Sequence, residues 1–164
     1  MEKTYNVLFL CSGNSARSIM AEVLLNHWGR GRFRAFSAGS HPAAEVHPLT
    51  LELLERLEFP TEGLHTKSWN EFTAPGAPVM DFVFTVCDKT RDEPCPEWPG
   101  QPLTAHWGVP DPVLAQGDEI MRMNAFREAF HTLESRVKLF ASLPLAQLDR
   151  LHAQLEIDRI GTVE

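Results

Sequence analysis

The sequence predicts an α/β fold: one three-layer domain over residues 1–164, with a four-stranded parallel sheet flanked by helices. Three observations carry this expectation. Short apolar runs alternate with stretches whose apolar residues recur every three or four positions. The first run is apolar on both faces, as a strand covered from both sides requires. At 164 residues and 43% hydrophobic composition, the chain can bury one sizeable core.

Each element follows in order. "YNVLFL" (5–10) is a short strand. From Ser15 the period changes, with Ala16, Ile19, Met20, Val23, Leu24 and Trp28 forming one helical stripe that "GRG" (29–31) stops. "FRAFSAG" (33–39) is a second strand ending in a turn. Pro48 suits the first turn of the next helix, with Leu49, Leu53, Leu54 and Leu57 facing inward, and Pro60 blocks its continuation. "VMDFVFTV" (79–86) is the third strand and "LTAHWGV" (103–109) a weaker fourth. Ile120, Met123, Phe126, Phe130, Leu133, Val137 and Phe140 mark a long amphipathic helix, which Pro144 breaks. Leu145, Leu148, Leu151 and Leu155 suggest a short terminal helix, a C-terminal extension from about residue 144. Successive right-handed crossovers make the sheet parallel, and ligands of such sheets bind beyond the carboxyl ends of the strands. Cys11, Cys87 and Asp111 all follow strands, which puts them along one edge.

Charge narrows the function. Fifteen basic against 22 acidic side chains give −7, which argues against nucleic acid as a partner. No segment approaches membrane-spanning length, and the apolar stretch before Cys11 is too short for a secretory signal. A cytoplasmic protein with reduced thiols is the expectation. There the three cysteines, Cys11, Cys87 and Cys95, are poor material for a disulfide framework, and burial as small hydrophobes is the alternative.

"CSGNSAR" (11–17) lies between a strand and a helix. The backbone N–H groups of Ser12, Gly13, Asn14, Ser15, Ala16, Arg17 and Ser18 can converge on an oxyanion, helped by the helix start. Gly13, and next Asn14, tolerate the positive backbone angles of such a loop. Arg17 can grip two oxygens of a tetrahedral anion, and the Ser18 hydroxyl is a further donor. The same donors favour a thiolate at Cys11.

"VLFLCSGNSARS" resembles the phosphate-binding loop of the low-molecular-weight protein tyrosine phosphatase fold, while "SAG" (37–39) and "HWGVPDP" (106–112) resemble the arsenate reductases built on it. The resemblance covers roughly residues 5 to 140. It implies arsenate as substrate, a role in arsenical detoxification, and a three-thiol scheme. In that scheme the Cys11 thiolate attacks arsenic and Asp111 protonates the departing oxygen. Cys87 then attacks Cys11, and Cys95 attacks Cys87. Thioredoxin, or glutaredoxin with glutathione, would reduce the resulting disulfide. A phosphatase would need Cys11, Arg17 and Asp111 alone, and a non-catalytic anion-binding redox sensor would not need Asp111. No Cys-x2-Cys or nearby histidine pattern supports a metal site, and no tightly bound cofactor is expected.

Some relatives bind potassium beside the loop. Asn14, Glu22 and Ser37 match part of that site, but Ser68 stands where its aspartate is expected, with Lys67 adjacent. The Lys67 ammonium can replace the cation and tie Asn14 and Ser37 to the loop; a solvated surface lysine is the alternative. Ala16 stands where many relatives carry another cysteine. His106 and Trp107 are read as anchors of the acid loop without chemistry, and His47 and His65 as weaker supporting candidates.

Overall fold

A computed structural model describes residues 3–88 and 96–164. Strands β1 (Tyr5–Cys11), β2 (Phe33–Gly39), β3 (Phe82–Thr85) and β4 (Leu103–His106) form one sheet in the order β2-β1-β3-β4. All three pairings are parallel. The helices are α1 (Arg17–Trp28), α2 (Pro48–Arg56), α3 (Glu119–Ala141) and α4 (Arg150–Ile160). The chain leaves β1 toward β2 on one side and reaches β3 and β4 on the other. The switch point, where such sheets hold ligands, therefore lies between the carboxyl ends of β1 and β3.

Alternation along β1 divides the interior. Val7, Phe9 and Cys11 join the larger core with α1 and α3, whereas Leu8 and Leu10 join a second core with Phe72, Met80 and Val83. Trp107, fully buried, stacks on Phe84 with centroids 3.9 Å apart. Such a pair adds about 0.5–1.5 kcal/mol beyond its buried area. It fixes the chain just as it enters the loop that carries Asp111.

Helix starts follow their capping residues. His47 Nδ1 accepts from the Leu49 amide ahead of Pro48, Asp118 caps α3 through the Met121 amide, and Asp149 caps α4 through the His152 amide. Among the described residues, no helix is long and apolar enough to cross a membrane.

Several local expectations are corrected. Strand β3 spans residues 82–85 rather than 79–86. Asp81 accepts from the Asn6 amide and Asn6 Nδ2 donates to the Val79 carbonyl, so side chains replace the ladder there. Strand β4 stops at His106, although the Trp107 and Val109 amides still reach the Thr85 and Val86 carbonyls. Ile120 is 74% exposed, because the first turn of α3 runs ahead of the core. Leu57, one residue past α2, is half-exposed. The leucine stripe of the extension is broken at Asp149: Leu145 sits in a 3-10 turn, and the Asp149 cap sets a new register. That register buries Ala153, Ile157 and Ile160 and leaves Leu151 and Leu155 exposed.

Candidate active site

At the end of β1 the backbone turns sharply through Ser12–Ala16 and enters α1 at Arg17. Asn14, not Gly13, takes the left-handed conformation, with φ 49°. Its side chain explains why it is suited to the place. Oδ1 accepts from the Lys67 amide at 3.0 Å, and Nδ2 donates to Ser18 Oγ at 2.8 Å. The loop carbonyls point outward: Ser12 O, Gly13 O and Ser15 O accept from the His41, Ala43 and His47 amides, and Thr50 Oγ1 also donates to Ser15 O. Carbonyls held outside turn the intervening amides toward the cleft, a concavity for an anion. The helix N-terminus adds to it, since Ala16 supplies no side-chain cap to the first turn of α1.

Gly39 explains the "SAG" stretch by space. A Cβ there would lie 2.5 Å from Ser12 O and 2.9 Å from Cys11 O, so β2 approaches the loop as closely as only glycine permits.

Cys11 is 3% exposed, with Sγ 3.2 Å from Ser18 Oγ. A thiolate can only accept, so in that state the Ser18 hydroxyl donates to it. Arg17 Nη1 donates to Val109 O at 2.9 Å, and Nη2 lies 3.3 Å from Asp111 Oδ2. Its Nε is buried without a hydrogen-bond partner among the described residues. A buried donor of this kind is costly unless a ligand oxygen meets it. Asp111 Oδ1 meanwhile accepts from the Val113 amide, which caps the 3-10 turn Pro112–Leu114 and steadies the carboxyl group.

Cys87 follows β3 beside Cys11. The amide of Ser12, the residue bonded to Cys11, donates to Cys87 Sγ at 3.3 Å. Cys11, Ser12, Gly13, Ser15, Ala16, Arg17, Cys87 and Asp111 line one cleft of about 910 Å³. Asn14 and Ser18 are buried behind it. Cys95, the third thiol, falls outside the described residues. The cleft lining contains no Phe, Tyr or Trp among the described residues.

Behind Asn14, Lys67 Nζ donates to Ser37 O at 3.0 Å and His65 O at 2.9 Å, and lies 4.0 Å from Glu22 Oε1. Glu22 Oε1 also accepts from Ser37 Oγ at 2.7 Å. Burial pushes the Glu22 carboxyl up, opposed by the Ser37 bond and by Lys67. Burial likewise pushes Lys67 down, opposed by Glu22. The lysine is thus half-buried, with its ammonium bonded to two backbone carbonyls. Among the described residues, no group of three or more His, Cys, Asp or Glu side chains is placed to hold a metal ion.

Other contacts lie beyond sequence reasoning. Val109 contributes a carbonyl, and backbone roles leave no residue-type signature. His106 bridges Thr85 Oγ1 and Asp88 Oδ1, at 2.7 and 2.8 Å. Thr50 braces the anion loop from α2, with no signal beyond its position after Pro48.

Comparison with known proteins agrees with this geometry. The sequence model of the low molecular weight phosphotyrosine protein phosphatase family matches residues 6–154. An arsenate reductase of Oceanobacillus iheyensis is 30% identical over 139 residues, covering 82% of this chain and 94% of the relative. The solved arsenate reductase of Archaeoglobus fulgidus is 28% identical, with TM-score 0.65, covering 84% of this chain and 99% of that one. The thioredoxin-dependent arsenate reductase of Corynebacterium glutamicum is 28% identical, with TM-score 0.64 over 88% of this chain; the match spans only 64% of that longer protein. With the anion loop, the parallel sheet and the sequence match in agreement, the chain belongs to the low molecular weight phosphotyrosine protein phosphatase family, among relatives that are arsenate reductases.

Proposed function

We propose that this protein reduces arsenate to arsenite with a relay of three thiols. Arsenate has the shape and charge of the tetrahedral anion that the loop and Arg17 suit. The Cys11 thiolate attacks arsenic(V), and Asp111 donates a proton to the oxygen that leaves as water. The Cys87 thiolate then attacks Cys11 Sγ. The electron pair of the sulfur–arsenic bond passes to arsenic, which departs as arsenite, leaving a Cys11–Cys87 disulfide. Cys95 attacks Cys87 and releases the Cys11 thiolate, and an external dithiol reduces the Cys87–Cys95 bond.

One observation carries the reading: the amide next to Cys11 donates to Cys87 Sγ, so the second thiol stands at the anion loop. A phosphatase has no use for it there. Among the described residues the cleft offers an aryl phosphate ring no Phe, Tyr or Trp to stack on, and His106 is the one aromatic ring in its lining. Thioredoxin as the reductant is supported by the thioredoxin dependence of the Corynebacterium relative. Lys67 takes the place of a potassium ion behind the loop, a role supported by its bonds to Ser37 O and His65 O.

The test is reconstitution of the purified protein with thioredoxin, thioredoxin reductase and NADPH, with arsenite measured directly. NADPH consumption should require arsenate, and Cys87→Ser should react with one arsenate at Cys11 without turning over. Arsenate-independent consumption, or normal turnover by Cys87→Ser, contradicts the assignment. A rate only with glutaredoxin and glutathione would retain the relay and replace the reductant.

A further inference from the structure

The C-terminal segment packs against the strand and loop that carry Asp111, and its decisive contacts lie beyond residue 154, where the family match ends. Trp107 Nε1 donates to Ile157 O at 3.0 Å. Gly161 lines the cleft itself, and a Cβ there would meet His106 O at 2.7 Å and Trp107 Cδ1 at 3.0 Å. Between this segment and the acid loop stands Arg136 of α3, only 5% exposed. Its Nε donates to Val163 O at 2.8 Å and its Nη1 to Gly108 O at 3.0 Å.

A buried guanidinium is costly unless its donors are met, so both carbonyls are held firmly. The acid loop is thereby gripped by two arginines at consecutive residues. Arg136 holds Gly108 O from the side of the C-terminal segment, and Arg17 holds Val109 O from the side of the cleft. Arg17 also pairs with Asp111. A continuous path of bonds therefore joins the last residues of the chain to the carboxyl group beside the anion site.

We propose that Arg136 is a positioning residue for Asp111, and that Gly161 and Val163 complete its clamp, making the C-terminal segment part of the reaction apparatus. The inference rests on the reading of Asp111 as the acid for arsenate reduction. Arg136 touches no substrate. It sets where the Asp111 carboxyl group stands when the oxygen departs from arsenic.

A double-mutant cycle with arsenate tests the clamp. Arg136→Met should lower kcat/KM about tenfold, since a misplacement near 1 Å costs up to roughly a hundredfold. In an Asp111→Asn background the same substitution should cost less than about twofold, because the group it positions is gone. Inorganic phosphate should inhibit Arg136→Met and the unmodified protein at concentrations within about twofold of each other, since the loop amides are untouched. A chain ending at Thr162 removes the Val163 acceptor, together with the Glu164 charge that favours the Arg136 guanidinium, and leaves every residue of α3 in place. It should show the same dependence on Asp111 at a smaller size, and it serves if Arg136→Met does not fold. Losses that multiply in both backgrounds overturn the clamp alone. Undiminished activity of Asp111→Asn by itself overturns the acid assignment and the clamp together.

Discussion

Gly39→Ala is a small change with a calculable consequence. The new methyl group would stand 2.5 Å from Ser12 O, 2.9 Å from Cys11 O and 3.1 Å from Asn14 Cβ. Real Cβ contacts stay beyond 3.0 Å, so the end of β2 and the anion loop must separate by at least 0.5 Å, the difference of 3.0 and 2.5. Neither side yields easily: the Gly39 amide is bonded to Lys67 O, and Ser12 O to the His41 amide. Overpacking of this kind costs about 1–3 kcal/mol. At about 2–4 °C per kcal/mol for a chain of this size, Tm should fall by roughly 2–12 °C. Displacing the loop by half an ångström should also lower kcat/KM for arsenate about tenfold. Gly13→Ala is the control for stability, because among the described residues its methyl group would meet only Ser15 Oγ at 3.7 Å. Thermal denaturation and steady-state arsenite production measure both effects. A Tm within about 1 °C of the unmodified protein, with activity within about twofold, would refute the close approach of β2 to the loop.

Lys67→Met takes the ammonium from the Ser37 and His65 carbonyls and leaves the half-buried Glu22 less compensated. Bonds of this charged type contribute about 1.5–3 kcal/mol each, so stability and turnover should fall and added potassium should restore part of both. Equal stimulation of the unmodified protein by potassium would contradict the replacement. His47 is pushed below its usual 6.5, first by burial and then by Arg122, with Asp111 opposing. A depressed folded-state value means its contribution is present above pH 6.5 and lost as pH falls through that value. Protonation at Nδ1 removes the acceptor that caps α2, worth about 1 kcal/mol. His47→Asn keeps an acceptor and does not titrate, so urea denaturation should show less loss of stability between pH 7.5 and pH 5. An identical acid loss in both proteins would contradict this role. Arg17→Lys retains charge but cannot hold Val109 O and Asp111 together, and kcat/KM should drop about a hundredfold or more. Retention of a third of the activity would show that charge alone suffices.

The site was legible in the sequence wherever residue type itself carries the chemistry. A thiol at a strand exit, an arginine six residues later and small polar residues between them have few other uses, and the structure gathers them into one loop. Lys67 stands out only against the family resemblance, next to Ser68 where an aspartate is expected, and the structure bonds its ammonium to Ser37 O and His65 O. Backbone partners were not legible. Val109 O and the outward loop carbonyls depend on how the chain turns, and many residues could present them equally well. Residue type alone names both Gly13 and Asn14 for the left-handed angle and cannot choose between them; the Asn14 side-chain amide, bonded at both its oxygen and its nitrogen, fixes the angle at Asn14. In the C-terminal segment the leucine spacing misled, since the Asp149 cap starts α4 in a different register. Arg136 left a trace that periodicity can show, a charged residue between Leu133 and Phe140 on the buried face of α3. Its partners come from 28 residues before and 27 after it, beyond any local pattern.

The relay is tested most directly by stopping it halfway. Cys95→Ser protein given one equivalent of arsenate should release one equivalent of arsenite, and mass spectrometry of a peptide digest should find Cys11 joined to Cys87. Two alkylatable thiols at these positions after arsenite release, or no arsenite at all, would contradict the passage of electrons from this pair of sulfurs to arsenic.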